Sequence, residues 1–166
     1  MDVSQTGYEI RVALSQADLE KGKNLVWNSG RVSSAASVRV RYGGQKPEAG
    51  RNYYWQVRVW DDEGKRSDWS VPAFWQSGLL DFSNWKAKWI EAGFPEDSVT
   101  RPSPMFRKEF NSGKKISSAT LFITAHGLYE AFINGQKAGD ALLTPGFTSY
   151  NKRLQYQVYD VTNLIK

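Results

Sequence analysis

Apolar and polar residues alternate at every second position through nearly every patterned segment of this chain, which predicts an all-β protein of two β-sandwich modules. Two observations support that class. Only residues 17–23 have helical spacing, enough for a single turn, so helix is expected in less than a tenth of the chain. Asn134-Gly135 between two apolar segments is the sequence signal for a tight hairpin, because a type I′ turn needs positive φ at both central residues.

The elements follow in order. In residues 8–14, Tyr8, Ile10, Val12 and Leu14 share one face while Glu9, Arg11 and Ala13 share the other, the pattern of a half-buried strand. Leu25-Val26-Trp27 gives a shorter strand closed by Asn28-Ser29-Gly30. Val38, Val40 and Tyr42 oppose Ser37, Arg39 and Arg41, which predicts another. Tyr53, Trp55, Val57 and Val59 line up against Gln56 and Arg58, and the strand ends in the turn signal Asp61-Asp62-Glu63-Gly64. Arg39, Arg41, Arg51 and Arg58 are expected to face solvent, as dispersed strand charges do. Residues 77–85 read as a linker, and the proline-rich stretch 93–104 as a solvent loop. Further strands are expected at 105–110, 119–125, 129–133 and 136–138, followed by the alternating run 154–162.

Composition narrows the function classes. At 166 residues there is room for one large or two small domains, and 40% hydrophobic with 23% charged residues describes a globular chain rather than a disordered one. Without cysteine there are no disulfides, thiol nucleophiles or cysteine zinc sites, and no compartment is fixed by that absence. No apolar run approaches the ~18 residues that span a bilayer, and the first fourteen residues lack the basic start and apolar centre of a signal peptide. The net charge of +5 is scattered, with no basic block, so a nucleic-acid partner is not expected. Aromatic residues reach 14%, including seven Trp, which suits sheet faces and sugar-stacking surfaces alike.

From His126 onward the chain reads HGLYEAFINGQKAGDALLTPGFTSYNKRLQYQVYD. Gly127-Leu128-Tyr129-Glu130, Asn134-Gly135 with Gly139-Asp140, Thr144-Pro145-Gly146-Phe147-Thr148, Tyr150 and the run from Leu154 to Thr162 occur there in fixed order. This ordered set resembles the N-terminal accessory region of bacterial α-L-rhamnosidases (glycoside hydrolase family 78-like). The earlier segments YYWQVRVWDDEG and SDWSVPAFWQSG resemble the last two strands of a fibronectin type III or immunoglobulin-like sandwich. The resemblance implies such a sandwich over residues 1–78, short of its opening strands, and a jelly-roll-like accessory sandwich over 79–166, short of its closing ones. About five strands are countable in the first module where such a sandwich needs about seven. Missing strands would leave unpaired edges, and a homodimer paired through them is the expected consequence.

The resemblance further implies a bacterial parent, periplasmic or secreted, that releases terminal α-L-rhamnose from glycosides or polysaccharides. The catalytic carboxylates of that family lie in a separate (α/α)6 barrel downstream, and no long amphipathic helix occurs here, so no catalytic residue is assigned. The fragment itself is expected to be inactive, with its partners a rhamnose-containing glycan and its own catalytic domain. The resemblance also implies what some accessory sandwiches of the family do, holding rhamnose beside calcium, a cation that takes carboxylate, amide and carbonyl oxygens from loops. The residues that could serve are Asn134 and Asp140 for sugar, and the same two with Asp81 and Asn84 for calcium. Each has a plainer role: Asn134 in the turn, Asp140 at a strand end, Asp81 and Asn84 as linker polar groups. His126, the single histidine, reads as structural, since acid–base work needs an orienting partner. Trp60, Trp69, Trp75 and Tyr150 read as core or junction residues before they read as a stacking face. The other function class the fibronectin-like half admits is a tandem adhesion or protein-recognition module.

Overall fold

The computed structural model describes residues 3–95, 97, 99–100 and 102–165. The chain divides into two compact units, Met1–Lys86 and Ala87–Lys166. It is almost entirely β and irregular, with one six-residue helix and two short 3-10 turns among the described residues.

The first unit is a five-stranded antiparallel sheet. Strands β1 (Gln5–Ala13) and β4 (Asn52–Asp61) pair along nearly their whole length at its centre. β2 (Leu25–Asn28) and β3 (Val32–Ser33) pair successive parts of the other edge of β1, and β5 (Ala73–Gln76) pairs with β4. The Asp61 turn forms as the sequence predicts. Gly64 takes φ 78° and donates to the Asp61 carbonyl, while Lys65 N–H donates to Asp61 Oδ1 at 2.7 Å. The helix-like turn is α1 (Gln16–Lys21). Ser15 caps its start by accepting from Asp18 N–H, and Gly22 ends it in the left-handed region at φ 62°. Its single buried side chain, Leu19, has no exposed surface.

The two faces of this sheet differ. One carries Tyr8, Ile10, Val12, Trp55, Val57 and Val59 and opens into an apolar cleft of about 290 Å³. The other carries a ladder of alternating cations and indoles. Arg11 lies 4.1 Å from the Trp69 ring centroid, Arg58 lies 4.4 Å from Trp69 and 5.5 Å from Trp60, and Arg31 lies 4.9 Å from Trp60. Arg58 donates from Nε and Nη2 to Glu9 Oε2 at 2.8 and 2.6 Å. Arg11 donates to Gln56 Oε1, and Gln56 Nε2 donates to the Ser70 carbonyl. The solvent-facing expectation for Arg58 is thereby corrected: a guanidinium in contact with two indoles and a carboxylate is held at the sheet rather than in water. Arg39 and Arg41 are exposed as expected.

The predicted strand over 38–42 is not a strand. Arg39 sits at φ 58°, and no neighbouring strand is laddered to this stretch, although Val38, Val40 and Tyr42 still line the apolar cleft. Alternation marks which residues face a core, but a strand also needs a paired backbone.

In the second unit, β6 (Thr120–Ile123) pairs antiparallel with β9 (Gln157–Asp160), and β7 (Phe132–Ile133) pairs with β8 (Gln136–Lys137) in a hairpin. Asn134 at φ 50° and Gly135 at φ 78° form the type I′ turn the sequence predicts. Neither ladder closes on itself. Residues 105–110, predicted as a strand, are irregular, with Met105, Phe106 and Phe110 exposed; they lack a ladder partner among the described residues. Among the described residues, no helix is long and apolar enough to cross a membrane.

Candidate functional site: the loops of the second unit

The ordered motif from Gly127 to Thr162 is a set of mutual constraints. Tyr129 N–H donates to the Thr144 carbonyl at 2.9 Å, and Thr144 Oγ1 donates back to the Tyr129 carbonyl at 3.1 Å. Thr144 and Pro145 are buried, and the Pro145 carbonyl accepts from Gln157 Nε2. Gly139 has φ 76°, and a Cβ there would stand 2.2 Å from the Tyr159 ring, so glycine is required both by conformation and by space. Tyr159 in turn places its hydroxyl 3.5 Å from that of Tyr129, whose burial and contact with Tyr159 push its phenol well above the usual range. Glu130 pairs with Lys137 at 2.6 Å across the hairpin. At the far end, Asp160 Oδ1 accepts from the backbone and hydroxyl of Thr162, whose Oγ1 accepts from Ala119 N–H, joining the end of β9 to the start of β6. The Thr162 hydroxyl holds the Asp160 carboxyl below the usual carboxylate range.

The candidate sugar and calcium residues lie in two separate settings. In the second unit, Asn134 stands at the hairpin turn and donates from Nδ2 to the Leu164 carbonyl at 2.8 Å, leaving its amide oxygen out of that bond. Asp140 follows Gly139 in an exposed bend. In the first unit, Asp81 and Asn84 belong to one 3-10 turn: Asp81 Oδ1 accepts from Ser83 N–H at 2.8 Å, and Asn84 donates from both backbone and side chain to the Asp81 carbonyl. The contact with Ser83 lowers the Asp81 carboxyl below the usual range. Among the described residues, no group of three or more His, Cys, Asp or Glu gathers as a metal cage. Asn134 and Asp140 supply two side-chain oxygens where calcium takes six to eight ligands. They fit the cation only as part of a set completed by backbone carbonyls, water and the hydroxyls of a bound sugar.

Residue-by-residue reading of the sequence missed a row of rings. His126 lies edge-on to Trp89 with centroids 4.6 Å apart and stacks on Tyr150 at 5.4 Å, and Tyr150 continues to Phe147 at 5.9 Å. Trp89 and Phe147 are exposed. The signal available was that His126, Phe147 and Tyr150 all flank the two strands of the motif; Trp89, far off in sequence, could be added only by the fold. Trp60 is buried, and Trp75 stacks on Tyr53 at 5.2 Å, so both are structural as expected.

Fold and loops together define a class: a tandem β module ending in a glycine- and turn-locked hairpin domain. Residues 1–81 match the Rha78A-like N-terminal immunoglobulin domain, and residues 114–166 match the alpha-L-rhamnosidase N-terminal domain. An alpha-L-rhamnosidase of Formosa agariphila is 38% identical over 96% of this chain. Among solved structures, alpha-L-rhamnosidase from Dictyoglumus thermophilum superposes over 99% of the chain with a TM-score of 0.87 and 36% identity. The enzyme from Aspergillus terreus does so over 99% with a TM-score of 0.76 and 32% identity. The chain spans only 19%, 20% and 18% of these relatives' lengths. It belongs to the α-L-rhamnosidase family and corresponds to the non-catalytic N-terminal region of those proteins.

Proposed function

We propose that this chain is the accessory region of a glycosidase that removes terminal α-L-rhamnose from glycosides or polysaccharides, scaffolding a catalytic domain carried in the same polypeptide. The observation that supports this most directly is the occurrence of two rhamnosidase-type domains in order, within relatives about five times as long. The functional boundary in this reading follows Gly78, so that 1–78 forms the immunoglobulin-like module and 79–166 the accessory module. Hydrolysis needs two carboxyl groups held about 5 to 9.5 Å apart across a bound sugar. Purified chain incubated with an aryl α-L-rhamnoside is expected to release no phenol; turnover that survives removal of host glycosidase would overturn the non-catalytic assignment.

Sugar contact in this reading belongs to the second unit. The exposed rings of Trp89, His126 and Phe147, with half-buried Tyr150 between them, offer a surface suited to the C–H faces of a pyranose. Asn134 and Asp140 offer oxygens to a calcium ion that bridges sugar hydroxyls, whereas Asp81 and Asn84, named with them from the sequence, offer theirs separately in a turn of the first unit. Calorimetric titration of L-rhamnose with calcium and then with chelator separates the two contributions. Asp140→Ala should remove the calcium-dependent part and Trp89→Ala the remainder; binding indifferent to both changes removes this site. Open strand edges support a homodimer, which light scattering across a concentration series would detect.

A further inference from the structure

The ladder face of the first unit's sheet carries more cations than its own carboxylate matches. Glu9 stands opposite Arg58, Arg11 opposite Gln56, and Gly7 opposite Trp60, so these side chains share one side of the sheet. Arg66 joins them. It forms an isolated antiparallel bridge with Trp60, and residues directly opposite in such a pair project to the same side. Arg31 reaches the same indole, 4.9 Å from its centroid. Both β1 and β4 are paired on their two edges, so this face lies in the middle of the sheet and not at an open margin.

The cations of this face differ in what holds them. Arg58 is taken by Glu9, and Arg11 by Gln56 and the Glu20 carbonyl. Arg31 and Arg66 are exposed and form no ion pair with a described residue. Of the acids in the turn after β4, Asp61 belongs to the opposite side by strand alternation, and Asp62 accepts from the Ser4 hydroxyl. Burial, and then the charge of Arg58, holds the Arg11 guanidinium below its usual value, the mark of one cation crowded by another.

We propose that Arg31 and Arg66, on either strand partner of Trp60, bind carboxylates of an acidic polysaccharide. The same face already shows the chemistry, since Arg58 sets two N–H donors on the Glu9 carboxylate at 2.8 and 2.6 Å. A guanidinium fork matches a carboxylate, and the indole beside Arg31 limits the side-chain freedom lost on binding. Few, separate cations suit a polymer with one carboxylate per sugar better than a duplex with a charge every ~1.7 Å of its axis. That the anion is carried on a glycan rests on the reading of this chain as part of a glycosidase.

The test is calorimetric titration of this chain with polygalacturonate, with its methyl ester and with duplex DNA, at low and high salt. Polygalacturonate is expected to bind in a salt-dependent way, and the ester, which keeps the sugars and loses the charge, about tenfold more weakly. Arg31→Gln with Arg66→Gln should lower the affinity about tenfold. Arg66→Gln alone, which removes no ring contact of the ladder, should lower it about threefold with melting unchanged. Arg39→Gln with Arg41→Gln, exposed on the stretch over the apolar face, should leave it within about twofold. No binding of polygalacturonate, equal binding of its ester, undiminished binding in both Arg66 variants, an equal loss in the Arg39 and Arg41 variant, or DNA bound as tightly overturns the proposal. None of these results touches the accessory-region reading, which the aryl rhamnoside and L-rhamnose measurements decide.

Discussion

The two units reach β structure by opposite means. The first relies on long strands: β1 and β4 pair residue for residue from Tyr8–Val59 to Ala13–Tyr54, and the ladder of Arg11, Trp69, Arg58, Trp60 and Arg31 runs across that register. Among its described residues the second has no strand longer than four. Its shape is set by turns and single close contacts, such as Gly139 against Tyr159 and the reciprocal bonds of Tyr129 with Thr144. A sheet built on many equivalent contacts loses stability gradually as they are removed. A domain fixed by a few unique ones fails at those points.

The sharpest break of that comparison comes from the first unit's one fully buried helical side chain. Leu19→Ala should cost about 3 kcal/mol, the usual range for a buried leucine cut to alanine. Hydrogen exchange should show the loss over residues 5–76 and little change over 119–161. A uniform loss across both units would show that they do not unfold independently.

Gly139→Ala tests the second unit in the same way. A methyl group must displace the Tyr159 ring at a residue held at positive φ, which is expected to cost about 2 kcal/mol. Near-ultraviolet dichroism should lose the tyrosine signal, and protection should fall at β6 and β9 but not at β1 and β4. Unchanged melting would mean that the close packing around Gly139 does not hold the hairpin.

A smaller effect is expected from Glu9→Gln. The pair with Arg58 is largely buried, with side-chain exposures of 11% and 20%, but the ladder indoles still hold the guanidinium after the charge is removed. A loss of about 1 kcal/mol is expected in urea denaturation. A loss of several would make the ion pair, rather than the ring stack, the organiser of that face.

The smallest effect is that of acid. Asp18 is held below the usual carboxylate range by the Ser15 hydroxyl and Asn24, and Asp160 by Thr162. A carboxyl whose folded value is depressed contributes stability above its unfolded value, and that contribution is lost as pH falls through the folded value. Melting temperature should therefore be flat near neutrality and decline below about pH 4. The decline should be blunted in Asp160→Asn; an identical acid profile in that variant would remove Asp160 as a contributor.

Local chemistry made much of this legible before any coordinates. The Asn134-Gly135 turn, the Asp61–Gly64 turn, the helical turn expected at 17–23 and found at Gln16–Lys21, and the alternation of β1 and β4 each follow from propensities that act within a few residues. So do the glycines and the Thr144-Pro145 pair of the ordered motif, which answer to backbone conformation and burial in this chain.

Other features depended on what stands opposite. Residues 38–42 alternate as clearly as β1 does and residues 105–110 also read as a strand, yet neither is one, because a ladder needs a second backbone and the pattern of one segment cannot specify it. Arg58 carries the sequence mark of a solvent-facing residue; the pairing of β1 with β4 sets Glu9 against it, and the fold brings Trp69 to it beside Trp60 of its own strand. His126 meets Trp89 across a separation in sequence that no local rule spans. By itself the sequence determined the class, the turns and the family; the tertiary structure alone decided which edges are paired, which charges are covered and which rings meet, since those depend on distances between residues far apart along the chain.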